Sequence, residues 1–299
     1  VSAGAAVLQN PECDERLRLS HISGAVANEY LKGIVRQTFR GADPDSTATA
    51  VWALVHGLAL AMRLGGPSVL VDINRIAGLG RIDVIDGDRV RVGALVRHRQ
   101  LVEQSVMPLL AEAASWIGHA AIRTRGTAGG SIAHADPSAE LPVVAAALNA
   151  AIHVTGAGGT RTVSADDFFV GPLETCLTET EIVTGVELAV PTHWGFAEMS
   201  RRHGDFGLVT IVAAEVRDRV HLAIGGVGPT PIRPREAEHI LATGPLGPSR
   251  VAEAAKAAAA AVTAGTDIHA SAAYRIAMTE EFTRRALNRL VGTATEGAA

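Results

Sequence analysis

The stretch Arg123-Thr-Arg-Gly-Thr-Ala-Gly-Gly-Ser-Ile-Ala-His-Ala-Asp-Pro-Ser-Ala-Glu-Leu-Pro142 leaves the backbone few choices. Gly126, Gly129 and Gly130 lack a Cβ, so the chain here turns sharply or comes close to another group. Thr127 and Ser131 add hydroxyls on either side of the glycine pair. Ser138 is a good N-cap for an apolar helix over 141–148. Pro142 then falls in its first turn, where a missing N–H costs nothing. Bare N–H groups, hydroxyls and a helix start converge, an arrangement that suits a phosphate or pyrophosphate. A tight loop feeding a core helix uses the same residues, and the glycines alone leave both readings open.

The rest of the composition narrows the partners. With 299 residues, 47% of them hydrophobic, the chain can build two or three subdomains around a sizeable core. A net charge of −4 and only 4% aromatics argue against nucleic acid, which needs basic surface or stacking platforms. Cys13 and Cys176 lie far apart with no CxxC, so they cannot hold an Fe–S cluster or a structural zinc. Their scarcity fits a cytoplasmic setting. The longest apolar run, 50–62, contains His56 and is too short to span a bilayer. The amino terminus lacks a basic-then-apolar signal pattern. No Gly-x-Gly-x-x-Gly following a strand marks an NAD site. His21, His56, His98 and His269 show no metal-ligand spacing. Asp166 and Asp167 are adjacent and point different ways, which makes them a poor acid–base pair.

Along the chain, 41–46 reads as a turn cluster and 47–64 as a helix. A short buried strand is expected at Val69-Leu-Val-Asp-Ile73. Ile82 to Val92 alternates around Asp86-Gly87, a strong hairpin signal. Helices are expected over 98–106 and 108–117 from their apolar spacing. A second hairpin spans 152–163 around Gly156-Ala-Gly-Gly159, 166–169 is a turn packing two rings, and 181–190 is a strand. A third region starts near Thr192. It holds a polar entry, Arg201-Arg-His-Gly-Asp-Phe206, then an apolar helix over 208–214. A hairpin follows over 216–224, with helices over 251–262 and 274–290. Hairpins dominate and no regular βαβ alternation is present, which indicates α+β.

Several of these pieces together resemble one family. Arg125-Gly-Thr-Ala-Gly-Gly-Ser131, His134-Ala-Asp-Pro137 and Glu140-Leu-Pro142 are similar to the second FAD loop of the flavoprotein (medium) subunits of molybdenum hydroxylases. Carbon monoxide dehydrogenase and xanthine dehydrogenase are of this type. Leu70-Val-Asp-Ile73, Pro108-Leu-Leu-Ala-Glu112, Gly159 with Arg161, Asp167-Phe-Phe169, Arg202-His-Gly-Asp-Phe206 and the segment from Asp267 to Arg275 follow in the family's order.

The resemblance implies an α+β fold. Its parts would be a two-part FAD-binding unit of the vanillyl-alcohol-oxidase/PCMH type, divided at 1–69 and 70–192, and a carboxy-terminal α+β domain over 193–299. It implies that Thr127, Ala128, Gly129, Gly130 and Ser131 hold the pyrophosphate and nearby ribityl oxygens. His134 and Asp136 would lie beside that loop. Glu140 stands where the family usually has an Asp that takes ribityl hydroxyls, and Ser131 replaces the usual Asn. Ile117 would pack near the cofactor, Ile182 and Val183 against the isoalloxazine ring, and Arg202 and Asp205 near the flavin edge. No catalytic acid or base and no metal ligand is implied in this chain.

The implied role is electron transfer through FAD to an external acceptor. The partners would be a small subunit with [2Fe-2S] clusters and a large subunit with the molybdenum cofactor, arranged as a dimer of heterotrimers. One departure stands out. The family's first glycine-rich loop is replaced by Leu54-Val-His-Gly-Leu58, with one glycine and no Ser. Part of the phosphate cradle is therefore missing, and weak or substoichiometric FAD is expected. The alternative role is a flavin-free assembly subunit of the same kind of complex.

Overall fold

A computed structural model describes residues 72–296. The turn at 41–46, the helix over 47–64 and the altered loop at Leu54 to Leu58 lie outside the described residues. So does most of the expected strand ending at Ile73. Asp72 and Ile73 themselves are not in a strand; the Asp72 carboxylate instead accepts the Asn74 backbone N–H at 2.9 Å, in a turn.

The first half of the described chain builds an antiparallel sheet of five strands. In chain order these are β1 Ile82–Ile85, β2 Arg89–Gly93, β3 Ala151–Gly156, β4 Gly159–Ser164 and, after a small two-stranded ribbon (β5 Phe169–Gly171 and β6 Glu174–Thr175), β7 Ile182–Ala189. Their spatial order is β1-β2-β7-β3-β4. Both expected hairpins form. Asp86 and Gly87 take positive φ between β1 and β2, and Gly156 pairs with Gly159 across the second turn. Between β2 and β3 run α1 His98–Glu103, α2 Pro108–Trp116, α3 Ala120–Arg123, α4 Ala128–His134 and α5 Glu140–Ala147. The expected ring turn is a single helical turn, α6 Ala165–Phe168, whose Phe168 meets Phe169 edge to face at 5.2 Å.

The second half is a three-stranded antiparallel sheet in the order β10-β9-β8, with β8 His193–Met199, β9 Val209–Val216 and β10 Arg219–Gly225. The helix expected over 208–214 is strand β9. Val209, Thr210, Ile211 and Val212 are β-branched, and the segment is the middle strand, buried on both faces from Val209 to Ala214. A continuous apolar run of that length fits a central strand as well as a helix, and β-branching decides it. Arg217 and Asp218 both take left-handed φ, which matches the twist of the hairpin they close. Helices α7 Arg235–Ala242, α8 Pro248–Ala260 and α9 Ala272–Glu296 cover one face of this sheet.

Alternation along the strands sorts the core into two clusters. Ala197, Ile211, Ala213 and Leu222 face Phe282, Ala286 and Leu290 of α9. Phe196, Val212, Ala214 and Ala223 face the other way and join the core of the five-stranded unit. Helix α5 lies between the sheets and all eight of its residues are buried, which is why it is apolar all round after Glu140 at its start. α9 comes so close to β8 that a Cβ on Gly195 would run into the Ala286 carbonyl.

Candidate functional site

The glycine stretch is a helix start rather than an open loop. Thr127, in an extended conformation, is the N-cap of α4, and its hydroxyl accepts the Gly130 N–H at 3.1 Å. The Ala128 N–H goes to the Val96 carbonyl at 2.8 Å and the Gly129 N–H to the Ala94 carbonyl at 2.9 Å. The first three N–H groups of the helix are therefore spoken for, and the expected cradle of bare N–H groups does not form there. Gly129 is glycine for a different reason: a Cβ would stand 2.7 Å from Ala94 Cα, so the helix can lie on that segment only without one. His98, nearly fully buried, locks the turn from below. Its backbone N–H reaches the Gly126 carbonyl at 2.8 Å, and its Nε2 lies 3.0 Å from the Thr127 carbonyl.

Past Ala135, which ends α4 in a left-handed conformation, the chain turns over Asp136. The Asp136 carboxylate accepts the Ser138 N–H at 2.8 Å. Ser138 is therefore held in that turn and is not the N-cap of α5; Ala139 occupies that position without a side-chain cap, and Glu140 is the first helical residue. Opposite, the loop after β8 folds down on the end of α2. His203 packs edge-on against Trp116 at 4.8 Å. Gly204 has φ +89°, and a Cβ there would stand 2.7 Å from His119 Nδ1. The Arg275 guanidinium ties this loop to the next hairpin, donating to the Leu208 carbonyl at 2.8 Å, the Gly226 carbonyl at 2.5 Å and Asp267 at 2.8 Å.

These segments enclose a cleft of about 560 Å³. Six of the expected residues line it: Ile117, Ser131, His134, Asp136, Glu140 and Asp205. Thr127, Ala128, Gly129 and Gly130 are buried behind Ser131 and build the wall rather than its surface. Arg202 is exposed and outside the lining, while its neighbour Arg201 takes part, 3.0 Å from His269. Ile182 and Val183 sit on β7, with Val183 in the core beside Val154, and neither lines the cleft.

Three contributors were not expected from the residue pattern. His98 and His119 line the cleft, and Glu198 on β8 lies just beneath it. Glu198 carried no local signal: the residues around it in β8, from Trp194 to Met199, are otherwise apolar. Arg275 enters the family resemblance only as the end of the segment from Asp267.

Burial raises the Glu140 carboxyl to about 7, opposed by a backbone hydrogen bond and reinforced by Asp136. Burial raises Glu198 to about 9, with the Glu140 charge adding and the Thr210 hydroxyl opposing. Asp267 is held below its ordinary range by the backbone N–H groups of Ala270 and His269 and by Arg275. Among the described residues no group of three or more His, Cys, Asp or Glu could hold a metal ion, and no helix is long and apolar enough to cross a membrane.

The donor set suits a ligand with a hydroxylated chain and an apolar ring. Ser131, Glu140 and Asp205 offer hydroxyl and carboxyl partners, and Ile117, Ile122, Phe206 and Leu208 offer apolar surface. Behind Gly207 of the lining, Glu198 has a buried Oε1 with no hydrogen-bond partner among the described residues. These residues fit the ribityl and ring half of a flavin.

A family profile described as the FAD binding domain in molybdopterin dehydrogenase matches residues 52–192. A second, the CO dehydrogenase flavoprotein C-terminal domain, matches residues 194–290. The nicotine 6-hydroxylase medium subunit of Paenarthrobacter nicotinovorans is 40% identical over 238 residues, covering 76% of this chain and 84% of that protein. The carbon monoxide dehydrogenase medium chain of Hydrogenophaga pseudoflava is 34% identical over 247 residues, 77% and 84% of the two chains. Among solved structures, quinoline 2-oxidoreductase from Pseudomonas putida 86 superposes with a TM-score of 0.77 at 31% identity, covering 88% of this chain and 95% of that one.

Proposed function

This chain belongs to the FAD-binding medium subunits of the molybdenum hydroxylases, and from that premise we propose that it carries electrons for such a complex through a flavin seated in the cleft. FAD, when bound, supplies the redox chemistry: it accepts electrons one or two at a time and passes them to an external acceptor. The chain's own residues do the rest. Ser131 and Glu140, meeting from α4 and α5, hold hydroxyls of the ribityl chain. Ile117 and Ile122 give the ring an apolar wall. Asp205, on the loop folded down over His119, closes the far side, and Arg275 keeps that loop in place. Thr127, Ala128, Gly129 and Gly130 act by holding Ser131 at the surface. His134 and Asp136 border the ribityl side, while Arg202, Ile182 and Val183 serve at the ring edge only if the flavin reaches beyond the lined cleft.

Substrate oxidation, in this reading, occurs at a molybdenum cofactor in a large partner subunit, and electrons arrive through [2Fe-2S] clusters in a small one. With just two separated cysteines this chain has no cluster ligands of its own. We place the complex in the cytoplasm as a dimer of heterotrimers, and the chain's divisions at 1–69, 70–192 and 193–299.

The observation that supports the reading best is the convergence of Ser131, Glu140 and Asp205, from three separate segments, on one cleft. Ser131→Phe tests it, because it fills the cleft without touching the packing of Gly129 on Ala94. Flavin released per chain should fall at least about tenfold in a protein that melts within a few degrees of the parent. Full flavin content in a folded Ser131→Phe protein rules the cleft out. The flavin-free assembly role is favoured instead if the parent chain, purified with its partners, shows no flavin absorbance. The filled N–H groups of α4 are the observation on its side.

A further inference from the structure

A single guanidinium stands behind the apolar wall of the cleft. Helix α2 has no basic residue in its last turn, so its terminal carbonyls are left to a donor from outside the helix. Arg123, the last residue of α3, is that donor. Its Nη1 lies 2.6 Å from the Gly118 carbonyl, 3.0 Å from that of Ile117 and 3.2 Å from that of Ser115. Helix α3 is one turn of four residues, too short to persist without tertiary support. It carries Ile122, whose Cδ1 lies 2.8 Å from where a Cβ on Gly118 would stand. Ile117, Gly118 and Ile122 all line the cleft, whereas Arg123 does not. The loop after β8 rests on the same carbonyl, since a Cβ on Gly204 would stand 2.9 Å from Gly118 O. On the other side the Gly126 N–H donates to the Ile122 carbonyl at 2.8 Å, so the turn leads directly to the cap of α4.

We propose that Arg123 is a positioning residue for the ligand of the cleft: by clamping the end of α2 to α3 it sets Ile117 and Ile122 as one apolar wall for a flat ring, without touching the ring itself. Bonds from a guanidinium to carbonyls are charge-assisted, and here they are half-buried, which makes them strong enough to hold two short segments in register. A wall built from two helix ends has no such register of its own, because neither end is fixed by the other's backbone ladder. The precision of a binding site depends on residues that support its surface from behind, and Arg123 occupies that place here. The clamp rests on contacts within this chain; that the ring is the isoalloxazine of FAD rests on the function proposed above.

Two measurements keep those claims apart. The first needs no flavin. In the full chain, freed of flavin and labelled with 13C at isoleucine Cδ1, Ile117→Val and Ile122→Val assign the two wall methyls. Arg123→Met, which keeps most of the stem and removes the donors, should shift or broaden both, while Ile211 and Ile224 in the core of the second sheet stay in place. Unmoved wall methyls in a folded Arg123→Met protein overturn the clamp. The second measurement is FAD affinity by flavin fluorescence. Arg123→Met should weaken it at least about tenfold, and Arg123→Lys, which keeps the charge and a donor, should recover part of that loss. Arg235→Met, which breaks the ties to Asp166 and Glu238 outside the lining, should leave the affinity within about twofold of the parent. Parental affinity in Arg123→Met, or an equal fall in Arg123→Met and Arg235→Met, overturns the positioning role. Should Arg123→Met fail to fold, Arg123→Lys carries the test: wall methyls and affinity both unchanged from the parent overturn the proposal. Absence of FAD binding by the parent, beside wall methyls that respond to Arg123→Met, overturns the flavin assignment and upholds the clamp.

Discussion

Single residues at this site do work that their type alone does not announce. Glu198 and Glu140 are acids that the fold favours as neutral. In the unfolded chain each ionises at an ordinary carboxylate value, and in the fold both are raised, Glu198 to about 9. Their protonated forms are therefore compatible with full stability at acid pH, below the unfolded value, and stability is lost as pH rises through the folded values. Glu198→Gln removes the larger part of that loss. Its melting temperature should match the parent near pH 5 and exceed it near pH 9 by the equivalent of about 2–4 kcal/mol. Scanning calorimetry at both values checks this; a parent that is more stable at pH 9 than at pH 5 contradicts it. Gly129 makes the opposite point. Its missing Cβ was visible in the sequence, but what approaches it is Ala94 of the same chain and not a ligand. Close approach can be read from a glycine; the identity of the approaching group cannot.

At the scale of elements, α4 depends on its cap. Only Thr127 supplies a side-chain acceptor at its start, and the helix has just seven residues, too few to persist without tertiary support. Thr127→Val keeps the shape and loses the acceptor, leaving the buried Gly130 N–H unpaired. It should cost about 1–2 kcal/mol in denaturant melts and lower flavin content with it, since Ser131 sits one residue further on. Unchanged stability would show that another group satisfies that N–H. The hairpins and the long helices followed from turn residues and apolar spacing, because those signals are local. Strand β9 did not, because a run such as Leu-Val-Thr-Ile-Val-Ala-Ala has no period to read when both faces are buried. Strand β8 and helix α7 were also missed: β8 is buried on both faces from Gly195 to Glu198 and shows no clean alternation, and α7 is short, with Ala237 and Leu241 buried and Ile240 partly buried against the core.

The two described halves are held together by α5 and by the face of the three-stranded sheet that packs on it. Phe196 is the largest fully buried side chain of that face. It is fully buried in the core of the five-stranded unit, although it belongs to the second sheet, and its ring lies 6.2 Å from Trp116. Polar ties run beside it: Arg289 reaches both Glu112 and the Phe196 carbonyl, and Arg235 reaches Asp166. Phe196→Ala should cost about 3–5 kcal/mol and split the thermal transition in two, as the halves lose their shared core. A single transition at the parent's temperature would show that the halves are joined elsewhere. Sequence alone determined the α+β class, the hairpins, the family and six residues of the cleft lining. Each of these rests on signals carried by neighbours in the chain: turn chemistry, apolar spacing and contiguous motifs. Tertiary structure alone decided that the N–H groups of α4 are already used, that β9 is a strand, and that Glu198 is buried behind Gly207 of the cleft. Hydrogen-bond partners and burial on both faces depend on which segments pack together, and no local pattern encodes that.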